Sequence, residues 1–224
     1  MRLLLLLAAL GLASSAHAGT VATYVGQKQE PPLRIEIADN GDLRVGDNDR
    51  FYSLRLGGVS YLVMRTGKGW EVARLADVVA AFDRTEPKRA PGGSPPSDAA
   101  IRFEPLGPAV VNGRSGTAYR VQGVEMRSSS DYAISHDPAL ASVGDGVRLA
   151  VERSIVMAYP FVSERMAPAI RRLFALGTLL EGELGGDVYR LDRVESADVD
   201  PARLKLPARP LGVEDIVRRM SEGR

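Results

Sequence analysis

Residues Leu33 to Val72 read LRIEIADNGDLRVGDNDRFYSLRLGGVSYLVMRTGKGWEV, a series of short alternating segments separated by glycine turns. Apolar side chains alternate at Leu33, Ile35 and Ile37 and again at Leu43 and Val45, the spacing of strands with one buried face. Asn40-Gly41 predicts a two-residue hairpin, whose central positions both need positive φ. Gly57-Gly58 and Thr66-Gly67-Lys68-Gly69 punctuate the following strands in the same manner. The stretch therefore predicts an antiparallel meander of about five strands. Within it, Val59 to Arg65 is apolar on both faces: Val59, Tyr61 and Val63 on one, Leu62 and Met64 on the other. Such a strand has to be covered on both sides, by helices on one and by more protein or an apolar ligand on the other.

Working outward, Thr20 to Gly26 is predicted as a first strand, separated from the meander by Glu30-Pro31-Pro32. Leu75 to Phe82 follows the meander as a short helix with Leu75, Val78, Val79 and Phe82 in one stripe. The proline- and glycine-rich stretch at 86–97 holds neither ladder nor helix and is predicted to be a mobile loop. Strands resume at Ala100 to Leu106, Ala109 to Val111 and Thr117 to Val121, with Asn112 to Gly116 as a turn, and Tyr132 to Ser135 is another. Asp137-Pro138 predicts a helix start, continued by an apolar stripe of Leu140, Val143, Val147, Ala150 and Val151 that Gly144 and Gly146 weaken. A second helix is predicted from Ser163 to Leu180, with Ile170, Leu173, Phe174, Gly177 and Leu180 on one face, widened by Leu176 and Leu179. Pro168 marks its first turn or a kink, and Gly182, Gly185 and Gly186 end it. Val188 to Glu195 alternates as a final strand, Asp200 to Pro210 is irregular, and Val213 to Met220 closes the chain as a helix.

Residues 1–18 have the form of an export signal: Arg2, an apolar stretch from Leu3 to Leu12, and Ala16-His17-Ala18 at the cleavage position. The expected product starts at Gly19, in the periplasm or outside the cell, soluble and not an integral membrane protein. Cleavage removes one base and no acid, so 29 basic side chains become 28 against 28 acidic ones. A neutral chain with scattered charge offers no footprint for nucleic acid. With no cysteine there is no disulfide, no thiol nucleophile and no thiolate metal site, and burial has to carry stability.

The polar motifs are explained by local structure. Ser135-His136-Asp137 has the residue types of a catalytic triad, but adjacent side chains point apart and cannot form the relay. Asp39-Asn40-Gly41-Asp42 and Asp47-Asn48-Asp49 are oxygen-rich like calcium loops, yet neither continues into the spaced ligands of an EF-hand, and turn chemistry accounts for both. No catalytic set, metal site or cofactor is expected.

The stretches Ile35-x-Ile37 with Asp42-Leu43-Arg44, Tyr52-Ser53-Leu54-Arg55 with Tyr61-Leu62-Val63-Met64, and Val188-Tyr189-Arg190-Leu191 followed by Asp200 to Pro207 are similar to those of uncharacterised exported bacterial proteins. Those proteins are related to the lipoprotein carriers, and the order of elements resembles the fold of LolA and LolB. That resemblance implies an incomplete antiparallel barrel whose concave apolar face is covered by helices and receives acyl chains. The missing lipid-attachment cysteine implies a soluble carrier rather than a membrane-anchored acceptor.

Together these readings predict one α+β domain over 19–224, a curved antiparallel sheet of roughly seven to ten strands with helices on its concave face. The expected function is non-catalytic binding of an apolar ligand, a lipid or a lipoprotein acyl chain. Tyr61, Leu62, Val63, Met64, Ile170, Leu173 and Phe174 are the candidate lining. A protein-interaction module for an envelope partner is the alternative, and a hydrolase with an unrecognised site the third.

Overall fold

The computed structural model describes residues 18–28, 31–85, 102–122, 131–158, 166–184 and 187–222. The expected export signal, through residue 17, and the expected mobile loop at 86–97 lie outside the described residues. The meander forms as its alternation requires: β1 (Ala18–Gly26), β2 (Leu33–Ile37), β3 (Leu43–Gly46), β4 (Phe51–Leu56), β5 (Val59–Thr66) and β6 (Gly69–Arg74). After α1 (Leu75–Thr85) come β7 (Arg102–Val111), β8 (Arg114–Gln122) and β9 (Asp131–Ser135). Then follow α2 (Ala141–Met157), α3 (Met166–Ala175), β10 (Thr178–Leu184), β11 (Asp187–Asp198) and α4 (Val213–Glu222). The eleven strands form one sheet in the order β6-β5-β4-β3-β2-β1-β11-β10-β9-β8-β7. Every pairing is antiparallel, and the sheet is open, with β6 and β7 at its edges.

Two turn readings change. The loop at Asn40-Gly41 is a three-residue hairpin: Ala38 N–H donates to Asp42 O at 2.8 Å, Gly41 N–H donates to Ala38 O at 2.9 Å, and only Gly41 has positive φ. The Asn40 carboxamide accepts from the Asp42 N–H at 3.0 Å, so the side chain stabilises a type I turn followed by a left-handed glycine. The two-residue form with both φ positive occurs instead at Gly57-Gly58 and at Asn112-Gly113, where φ is 48° and 76°.

The larger correction concerns Ser163 to Leu180. The helix stops at Ala175, and Thr178–Leu184 is strand β10, paired with β9 and β11. The apolar run from Leu176 to Leu180 fits a helical stripe and a doubly buried strand equally well. The switch is at Gly177, where a Cβ would lie 2.2 Å from the Ser135 carbonyl oxygen. Only glycine lets the chain pass that close to β9.

One face of the sheet, here the inner face, carries Ala22, Tyr24, Leu33, Ile35, Leu43, Val45 and Leu62, and these pack with Val143, Val147, Ala150 and Val151 of α2. The glycines that weaken α2 also bring it close: a Cβ at Gly146 would lie 2.4 Å from Ile35 Cγ2, and one at Gly144 2.6 Å from Thr178 Oγ1. A short 3-10 turn, Pro138–Leu140, leads into α2, and the Asp137 carboxylate accepts from the Ala139 N–H at 2.9 Å, as the Asp-Pro pair predicts.

The outer face holds a second cluster of Val21, Tyr52, Leu54, Tyr61, Val63 and Val72. It is covered by the C-terminal segment, through buried Val199 and Leu204 and half-buried Leu206 and Ala208. That segment then closes the β6 edge, where Leu211 N–H donates to Val72 O at 2.8 Å, and α4 packs on α1. At the opposite edge, β7 carries Pro105 and Pro108 and a register break between Pro105 and Gly107, features that limit further pairing.

Candidate functional site

The seven candidate lining residues do not converge on one cavity. Tyr61 and Val63 face the outer cluster and are buried beneath the C-terminal segment, so the chain itself fills the space that a ligand was expected to take. Leu62 lies on the inner face, where α1 packs on β5, and Met64, two residues on, is 36% exposed on the same face. Leu173 and Phe174 are buried in the same core but lie toward β9, where Phe174 meets Tyr132 edge-on at 6.4 Å. Ile170 is half-buried on the same helix. Strand alternation identified the doubly apolar β5; it carried no information on which cover belonged to which face.

The inner-face rim near Met64 contains a charged group that the apolar pattern hid. Phe51 pairs directly with Met64 across β4 and β5 and is half-buried. The Arg153 guanidinium of α2 lies over the Phe51 ring, with Cζ 5.0 Å from its centroid. Met157, one turn further along α2, is 48% exposed. Burial lowers the Arg153 pKa, and Asp47 and Tyr189 offset that only in part. Three buried side-chain polar atoms among the described residues have no hydrogen-bond partner: Arg153 Nη1, Ser53 Oγ and Arg114 Nε. Ser53 is fully buried two residues along β4 from Phe51, so it shares the inner face. The sequence held a signal for Arg153. Gly146, Leu149, Arg153 and Val156 fall at helical spacing, and the half-buried arginine is the one charged member of an otherwise buried stripe.

Elsewhere polar groups are committed to structure. The Ser135 hydroxyl donates to Ser115 O at 3.1 Å and accepts from the Asp137 N–H at 3.2 Å, while Asp137 caps the following turn, so neither is free for nucleophilic chemistry. His136 Nε2 lies 3.4 Å from the Tyr119 hydroxyl at the surface. Asn48 Oδ1 accepts from the Arg50 and Phe51 N–H groups at 2.8 Å, Asp42 accepts from Gly57 N–H at 2.8 Å, and Asp49 pairs with Arg44 at 2.8 Å. The two oxygen-rich loops are thus held by turns and ion pairs. No cluster of three or more His, Asp or Glu that could hold a metal occurs among the described residues. Tyr24 is buried, which pushes its phenol pKa up against the opposing charge of Arg114, and its hydroxyl donates to Leu179 O at 2.7 Å.

On the outer face an open groove of about 300 Å3 runs between β1, β10 and β11, lined by Val25, Gly26, Gln27, Glu181, Val188 and Arg190. Arg190 and Glu181 neutralise each other through two hydrogen bonds at 2.7 and 3.2 Å, which leaves the groove without a charge to offer a ligand. No helix among the described residues is long and apolar enough to cross a membrane. No family model matches the chain, and no curated protein matches it in sequence.

Proposed function

We propose that this protein binds an apolar ligand without catalysis, a lipid or a lipoprotein acyl chain, after export to the periplasm. In this reading the helix-covered inner face is the concave face of an incomplete barrel, and the ligand enters between that face and α2. The observation that carries the reading is the open rim of the inner layer. Phe51, half-buried, packs against the core cluster and pairs with Met64, which is 36% exposed, and Met157, one turn beyond Arg153 on α2, is 48% exposed. Exposed apolar groups continuous with a core are features of binding surfaces. The leader pattern of residues 1–18 and the resemblance to lipoprotein carriers agree with it. The experiment is native mass spectrometry of protein purified from a periplasm, then organic extraction and titration with added lipids. The expected result is an adduct of lipid mass that the added lipids exchange. A ligand-free mass with no uptake of added lipid would remove the reading.

A second reading has its own observation. On edge strand β7, Leu106 is 42% and Val110 71% exposed, and these side chains favour contact with an envelope protein. Pro105 and Pro108 restrict strand addition there, so the contact would be made by side chains.

A further inference from the structure

We infer that Arg153 is the anchor for an anionic head group, a carboxylate or phosphate, on a single-chain amphiphile whose tail lies along the inner-face rim at Phe51 and Met64. The inference rests on the apolar-ligand reading and specifies the ligand class. A guanidinium is costly to remove from water, and a buried one is normally satisfied by carboxylates or carbonyls. Arg44, on the other face, shows the usual arrangement: it is buried with Glu36 at 3.3 Å and Asp49 at 2.8 Å. Arg153 is different. It stacks on Phe51, which satisfies the flat face of the guanidinium, while Nη1 is buried and without a hydrogen-bond partner among the described residues. Its fork has the geometry that carboxylate and phosphate oxygens match.

A second donor lies on the same face. Ser53 Oγ, also buried without a partner, is roughly 7 Å along β4 from Phe51 by strand geometry. Phe51, Met64 and Met157 then offer an aromatic ring and two thioethers, groups that adapt to flexible tails. Glu71, across from Met64, is paired with Arg219, and Asp47 offsets the Arg153 charge only in part, so the unpartnered Nη1 favours an anionic occupant. A neutral glyceride offers Nη1 a carbonyl acceptor but no counter-charge.

The test is displacement of a neutral dye, N-phenylnaphthylamine, from the intact protein by dodecanoate, dodecyl phosphate and dodecanol. The wild type, Arg153→Met and Arg153→Lys are compared, and thermal melts establish that each variant folds. The expected result is binding of the anionic probes about ten-fold or more tighter than dodecanol, the size of one charge-assisted hydrogen bond. Arg153→Met abolishes that preference and leaves dodecanol unchanged, and Arg153→Lys, which keeps the charge and loses the fork, retains part of it. The stronger of the two anionic probes identifies the head group as carboxylate or phosphate. Equal displacement by all three probes, or a preference that survives Arg153→Met, overturns the inference and leaves the apolar-ligand reading standing. Failure of every probe to displace the dye or to bind by titration calorimetry overturns both.

Discussion

At the scale of single residues, the strongest commitment in this chain is Glu36. Its carboxylate is 3% exposed and faces three guanidinium groups, those of Arg34 at 3.0 Å, Arg44 at 3.3 Å and Arg203 at 3.0 Å. Arg44 is equally buried and also lies over Tyr52, with Cζ 4.1 Å from the ring centroid. Removing the one carboxylate leaves Arg44 with the largely exposed Asp49 as its remaining counter-charge. Glu36→Gln is therefore expected to destabilise the fold by roughly 3–5 kcal/mol, read as a lower urea midpoint. Arg153 is the opposite case, since its Nη1 already lacks a partner. Arg153→Met is expected to leave the urea midpoint unchanged or raised, because an apolar side chain of similar length removes a charge that Asp47 compensates only in part. In the proposed function that charge is kept for binding, at a cost to stability.

At the scale of elements, α2 shows how far sequence reasoning reached. Its start at Asp137-Pro138 and its apolar stripe were legible because capping and helical period are local. The role of Gly144 and Gly146 was not, because it depends on Thr178 and Ile35, residues remote in sequence. Alanine at Gly146 gains about 1 kcal/mol of helix propensity. It also places a Cβ 2.4 Å from Ile35 Cγ2, a fully buried side chain with no room to yield. Overpacking of this kind costs about 1–3 kcal/mol, so Gly146→Ala is expected to lower stability by up to about 2 kcal/mol in a urea melt. Strand β10 was illegible for a related reason: Leu176 to Leu180 satisfies both periods, and only the approach of Gly177 to β9 decides between them. The C-terminal segment reads as irregular because its order comes from docking. Its Leu204 sits in the outer cluster and its Arg203 reaches Glu36 and Asp49. Leu204→Ala is expected to cost about 2 kcal/mol, the low end for a buried leucine at a cluster margin.

At the scale of the whole molecule, the sheet has two differently finished faces. The outer face over β4 to β6 is sealed by the chain's own C-terminal segment, and β6 is capped by Leu211 and α4. The inner face is covered by α1, α2 and α3, with α4 packed on α1, and its exposed apolar margin lies at Met64, beside Phe51 and the Arg153 above it. The sequence showed that β5 needed cover on both sides, and the fold assigns protein to its outer side and leaves the inner rim at Met64 for a ligand in the proposed function. The measurement that tests this most directly is an NMR titration of methyl-labelled methionines with dodecanoate. The account predicts that the methyl resonances of Met64 and Met157 shift saturably. Saturable binding that leaves Met64 and Met157 unmoved, or no binding at all, would contradict it.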